Sequence, residues 1–135
     1  MDLLFAQNTA SPAKREISPY LELGAYEALW LKKGATFKTI ADRFRKDCFA
    51  LPSDFVGHDE ARLCAQRVYE RFETAGLQRF GVRMNKAGEY PKRLRVAKHP
   101  IELLYYQGFW ELSEKPGVAV VGSRKPSDEG RARAR

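Results

Sequence analysis

Gly122, Ser123, Arg124, Lys125 and Ser127 place a glycine turn, two hydroxyls and two cations within the span 122–127. Together these residue types suit an anion with several oxygens. A guanidinium grips phosphate oxygens through two parallel hydrogen bonds, whereas an ammonium acts as a compact point charge. Glycine lets the backbone approach closely or take a positive φ. The Ser123 hydroxyl can donate to a phosphate or cap the turn in which it sits. Ser127, followed by Asp128 and Glu129, reads first as a helix N-cap and second as a ligand contact. The apolar run Val118-Ala119-Val120-Val121 precedes the group and has the composition of a buried strand. A buried strand, a tight loop and then a helix start is how an α/β domain opens a phosphate-binding site. Arg124 is central to this reading; its structural alternative is an ion pair with Asp128 or Glu129.

The charge distribution points the same way. The 135 residues carry a net charge of +7, but unevenly. Residues 1–60 hold 8 Lys/Arg against 9 Asp/Glu, while residues 61–135 hold 16 against 8. The basic excess therefore lies in the half with the glycine turn, which favours a polyanionic partner, nucleic acid first. Arg83, Lys86, Lys92, Arg93, Arg95 and Lys98, interleaved with Tyr90 and His99, form a looser cluster. It reads as a solvated face, or else as a nucleic-acid path with a ring for base stacking. Cys48 and Cys64 stand sixteen apart with no second pair and few histidines, so both read as small buried hydrophobes and no metal is expected. No segment approaches the roughly 20 apolar residues of a membrane span. No Ser/His/Asp or Cys/His set suggests covalent catalysis.

The elements that must position these residues are legible in outline. Residues 1–17 lack a clear period and read as a flexible arm. Ser18-Pro19 offers an N-cap and a first-turn proline for a helix running to about Lys33, with Gly34 beyond it. Thr36 can cap a second helix with Phe37, Ile40, Ala41, Phe44 and Cys48 as its buried stripe. A third should start near Asp59, bury Ala61, Cys64, Ala65, Val68 and Phe72, and end at Gly76. The period then changes. Strands are expected at Phe80–Met84, Ile101–Tyr106 and Val118–Val121, with short helical turns after Pro91 and at Phe109–Leu112. Strands alternating with helical pieces indicate an α/β class.

Three blocks carry a more specific signal. Tyr90-Pro91-Lys92-Arg93-Leu94 comes first, then Pro100 with Leu104-Tyr105-Tyr106-Gln107-Gly108, then Val118 to Ser127. In this order and spacing they resemble the DNA-processing protein A family (DprA/Smf), over about residues 78–130. The family often has a second proline after the one matched by Pro100. Ile101 stands there instead, a change in a turn and not in a contact residue. The likeness is weak over the helical unit, although members often carry a small helical, SAM-like domain there.

The resemblance implies an α/β protein with a SAM-like helical unit at 18–77, followed by the opening of a Rossmann-like domain at 78–135. The rest of that domain is expected beyond Arg135. It implies a cytoplasmic protein that is not an enzyme and uses no cofactor. Such proteins bind and protect single-stranded DNA and help load a RecA-type recombinase during natural transformation. A homodimer would form through the part beyond this chain. Carried over by residue, Arg124 is the leading DNA contact, Gly122 and Ser123 shape the turn, and Lys125 and Ser127 assist. Two other readings stay open. One is a Rossmann-like nucleotide-binding enzyme of the nucleoside-monophosphate phosphoribohydrolase type, whose catalytic glutamate would lie outside this chain. The other is a relative of the same family serving in defence against invading DNA.

Overall fold

The structure, a computed structural model, describes residues 15–119 and 121–134. Three helices come first: α1 (Pro19–Leu31), α2 (Phe37–Lys46) and α3 (His58–Thr74). Each boundary has a local cause. Pro19 opens α1, and the Ser18 hydroxyl accepts from the Leu21 N–H at 3.5 Å. A reciprocal capping box starts α2: Thr36 Oγ1 accepts from the Thr39 N–H at 3.1 Å, and Thr39 Oγ1 accepts from the Thr36 N–H at 2.8 Å. Helix α3 ends in a Schellman motif, with Gly76 at φ 72° and the Leu77 N–H donating to the Phe72 carbonyl at 2.8 Å. The expected helices are therefore all present, although α1 stops at Leu31, short of Lys33.

Helix α1 packs against α3, and the reason lies in small residues. Ala25 and Ala28 on α1 and Ala61 and Ala65 on α3 are all buried. Between them, Gly24 lets the two backbones nearly touch: a Cβ there would stand 1.8 Å from the Ala61 carbonyl oxygen. Large side chains then close the core around this crossing, with Leu23, Leu29, Ile40 and Phe44 all buried.

The buried Glu22 was not expected in such a core. It is satisfied by the short 3₁₀ turn Pro52–Asp54, accepting from the Ser53 N–H at 2.9 Å and the Ser53 hydroxyl at 2.7 Å. Arg15 clamps the same turn, donating to both Asp54 oxygens at 2.8 and 2.6 Å. The arm expected over residues 1–17 is thus tied down at Arg15 and again at Ile17, which packs on the core. Residues 1–14 lie outside the described part.

Beyond Gly76, β1 (Gly81–Met84) and β2 (Leu103–Tyr106) form an antiparallel pair. The register sets Gly81 opposite Tyr106 and Met84 opposite Leu103. Met84 and Leu103 join the same buried cluster as the helices. Helix α4 (Lys92–Arg95), a 3₁₀ turn at Trp110–Glu114 and α5 (Asp128–Arg133) follow. The whole is a mixture of helices and a small two-stranded sheet, compatible with the α/β class.

Three expectations need correction. The run Val118–Val121 does not form a buried strand: Val118 and Val121 are 92% and 90% exposed, and Val120 lies outside the described residues. β1 and β2 pair only with each other among the described residues, so the run has no neighbouring strand to bond with. Phe37 is mostly exposed, although its ring still meets Trp30 edge-on at 4.9 Å. Cys48 is exposed as well, because α2 stops at Lys46, and Asp47 turns the chain by accepting from the Phe49 N–H at 2.9 Å.

Only Cys64 is a buried thiol, and burial pushes its pKa up. Alkylation of the native protein should therefore modify Cys48 first and leave Cys64 protected until the fold opens. Peptide mapping after a short iodoacetamide pulse checks this. Equal labelling of the two thiols would contradict the burial of Cys64.

Candidate nucleic-acid interface

The turn at 122–127 is held by hydroxyls. Ser123 Oγ accepts from the Lys125 N–H at 3.1 Å, and Ser127 Oγ caps α5 by accepting from the Gly130 N–H at 3.1 Å. Both serines therefore play the local role, while each oxygen keeps its own O–H to donate. Gly122 does not need a positive φ, and a Cβ there would meet nothing within 4 Å. It leaves one side of the turn open.

Arg124 and Lys125 are exposed. The carboxylates that Arg124 was expected to consider as partners are engaged elsewhere. Asp128 faces Arg131 at 3.8 Å, and Glu129 is bonded to Arg133. Among the described residues Arg124 makes no ion pair. The turn thus presents a guanidinium and an ammonium to solvent, supported by a short capped helix.

The looser basic cluster divides in two. Arg83 lies over the rings of Tyr106 and Trp110, at 4.9 and 4.8 Å from their centroids. Lys86 donates to the Ala50 carbonyl at 2.9 Å and sits 5.0 Å from the Phe44 ring centroid. It also approaches the buried Glu102 at 3.9 Å, whose pKa is raised by burial. Arg95 stacks on Tyr90 and donates through Nε to the Asn85 carbonyl at 3.2 Å. Lys86 thus ties the sheet segment to α2 and the loop after it, whereas Arg83 and Arg95 pack within the segment beyond Gly76. Lys92, Arg93 and Lys98 remain exposed on and after α4. Tyr90 and Trp110 are buried and serve packing; the Tyr90 hydroxyl donates to the Ile101 carbonyl, and burial pushes its pKa up to about 12.

His99 contributes no metal geometry: among the described residues no three His, Cys, Asp or Glu side chains gather as a ligand set. No described helix is long and apolar enough to cross a membrane.

The sequence reading missed one concave feature. A cleft of about 450 Å³ opens where α3 meets the sheet, lined by Tyr69, Gln78, Arg79, Gly81, Tyr106 and Gln107 among others. Its residues come from three separate segments, so no local pattern signals it.

These features define a mixed helix–sheet body that carries an exposed basic turn. Residues 82–135 match the family model described as DNA recombination-mediator protein A. The matched segment holds the Tyr-Pro, Tyr-Gln-Gly and Gly-Ser-Arg blocks and bears out the resemblance read from them. No curated protein and no solved structure matches the chain.

Proposed function

We propose that this chain binds single-stranded DNA as part of a recombination mediator. Residues 18–77 are read as a SAM-like helical unit and residues 78–135 as the opening of a Rossmann-like domain. Arg124 is the leading phosphate contact, with Lys125 and the Ser127 hydroxyl beside it and Gly122 and Ser123 forming the turn. The protein protects the strand and assists loading of a RecA-type recombinase in the cytoplasm, as a homodimer and without catalysing a reaction. The observation that carries this reading is a coincidence in one segment. The residues that match a DNA recombination-mediator family include Arg124, which is exposed while the neighbouring carboxylates are bound to other arginines.

Titration of a labelled single-stranded oligonucleotide across a salt series tests it. Each phosphate neutralised on a single strand should contribute about 0.7 to the fall of log affinity with log salt. Binding should therefore weaken steeply as salt rises, and duplex of the same sequence should compete less well. Absence of binding at low salt, or affinity indifferent to salt, would remove the polyanion reading.

A further inference from the structure

The cleft between α3 and the sheet has the makings of a second contact on the same strand. One wall is the Tyr69 ring, on α3 and 44% exposed, braced by Phe80 and Tyr20 at centroid distances of 5.3 and 5.5 Å. Another is the Tyr106 ring, packed on Trp110 at 4.8 Å and against the Arg83 guanidinium. Tyr106 can lie there only because its cross-strand neighbour is glycine: a Cβ at Gly81 would stand 2.2 Å from the Tyr106 ring. Both rings are thus fixed before any ligand arrives, which lowers the ordering cost of binding. Gln78, Arg79 and Gln107 line the same cleft, are exposed, and make no side-chain hydrogen bond or ion pair among the described residues.

The lining selects its ligand by chemistry. A purely apolar molecule would leave two amides and a guanidinium unmatched, and a bare anion would leave the rings unused. A nucleotide offers a flat π-face, a hydrogen-bonding edge and a phosphate. We infer that this cleft holds one nucleotide of a bound single strand, with the base on the Tyr69 and Tyr106 rings, its edge at Gln78 and Gln107, and a phosphate on Arg79. This rests on the single-strand-binding reading above, and adds to the basic turn a contact that senses bases.

The test uses the intact chain, a labelled oligo(dT) and an abasic strand of equal length. The unaltered chain should bind oligo(dT) more tightly than the abasic strand. Tyr69→Leu should weaken oligo(dT) binding by about tenfold, on the scale of one stacked base, and erase the preference for bases. Tyr69→Phe should keep that preference. Arg79→Gln removes an exposed charge that has no partner among the described residues, so it should weaken both strands without altering the melt. Arg124→Ala should weaken both strands yet keep the preference for bases. If Arg124→Ala weakens binding while Tyr69→Leu and Arg79→Gln bind as the unaltered chain does, the cleft holds no nucleotide and the single-strand reading stands. The cleft inference is likewise overturned if Tyr69→Leu loses both strands equally. If the unaltered chain binds neither strand, both fall.

Discussion

Gly24→Ala is expected to destabilise the fold by roughly 3 kcal/mol, the upper end for inserting a methyl group into a packed interior. In an exposed helix the same change would stabilise by about 1 kcal/mol, because alanine is the better helix former. Here packing outweighs propensity. The added Cβ would meet the Ala61 carbonyl oxygen at 1.8 Å and the Ala65 nitrogen at 2.7 Å. Both are backbone atoms, so no rotamer change relieves the contact and α1 must move off α3. That movement opens the core around Leu23, Leu29 and Cys64. Since a domain has only about 5–15 kcal/mol of stability in all, the loss should be plain in a urea melt. Gly122→Ala is the control: its Cβ meets nothing within 4 Å, its φ is not positive, and its midpoint should not change. A Gly24→Ala protein melting at or above the unaltered one would mean that the helices do not cross at Gly24.

The contrast between those glycines shows what the sequence can reveal. Caps and stops are local, and they were legible: Ser18-Pro19, Thr36, Gly76 and Ser127 each mark a boundary that the structure contains. Gly24 looks like a mild defect in a helix, because its reason lies on a helix more than thirty residues away. Val118–Val121 has the composition of a strand, but a strand is a relation between segments, and no described neighbour bonds to it. Charge misleads in the same way. Arg83, Lys86 and Arg95 read as one solvated face with Lys92, Arg93 and Lys98. The first three instead rest their charged heads on rings or donate to carbonyls. For the candidate site, the turn was found because its residues are consecutive. The cleft at Tyr69, Arg79 and Tyr106 was not, because folding assembles it from distant pieces.

Arg124→Ala should weaken binding to single strands of different sequence by similar factors. A hydrogen bond to a charged group contributes on the order of 1.5–3 kcal/mol, so the loss should fall between about tenfold and somewhat over a hundredfold. Uniformity across sequences follows because a phosphate contact positions the strand and does not read bases. The contact also releases counterions, so the mutant's log–log salt slope should be shallower by about 0.7. Arg124→Lys should recover only part of the affinity, since it keeps the charge but loses the planar fork. None of these changes should move the thermal melt, because Arg124 is exposed and the local turn is closed by Ser123 and Lys125. Salt-series titrations paired with melts separate the two causes. Unchanged affinity, or a loss that tracks unfolding, would make Arg124 a structural residue and remove the turn from the DNA interface. A loss confined to one base composition would instead mean that the side chain meets a base, and that the phosphate lies on Lys125 or elsewhere in the basic half.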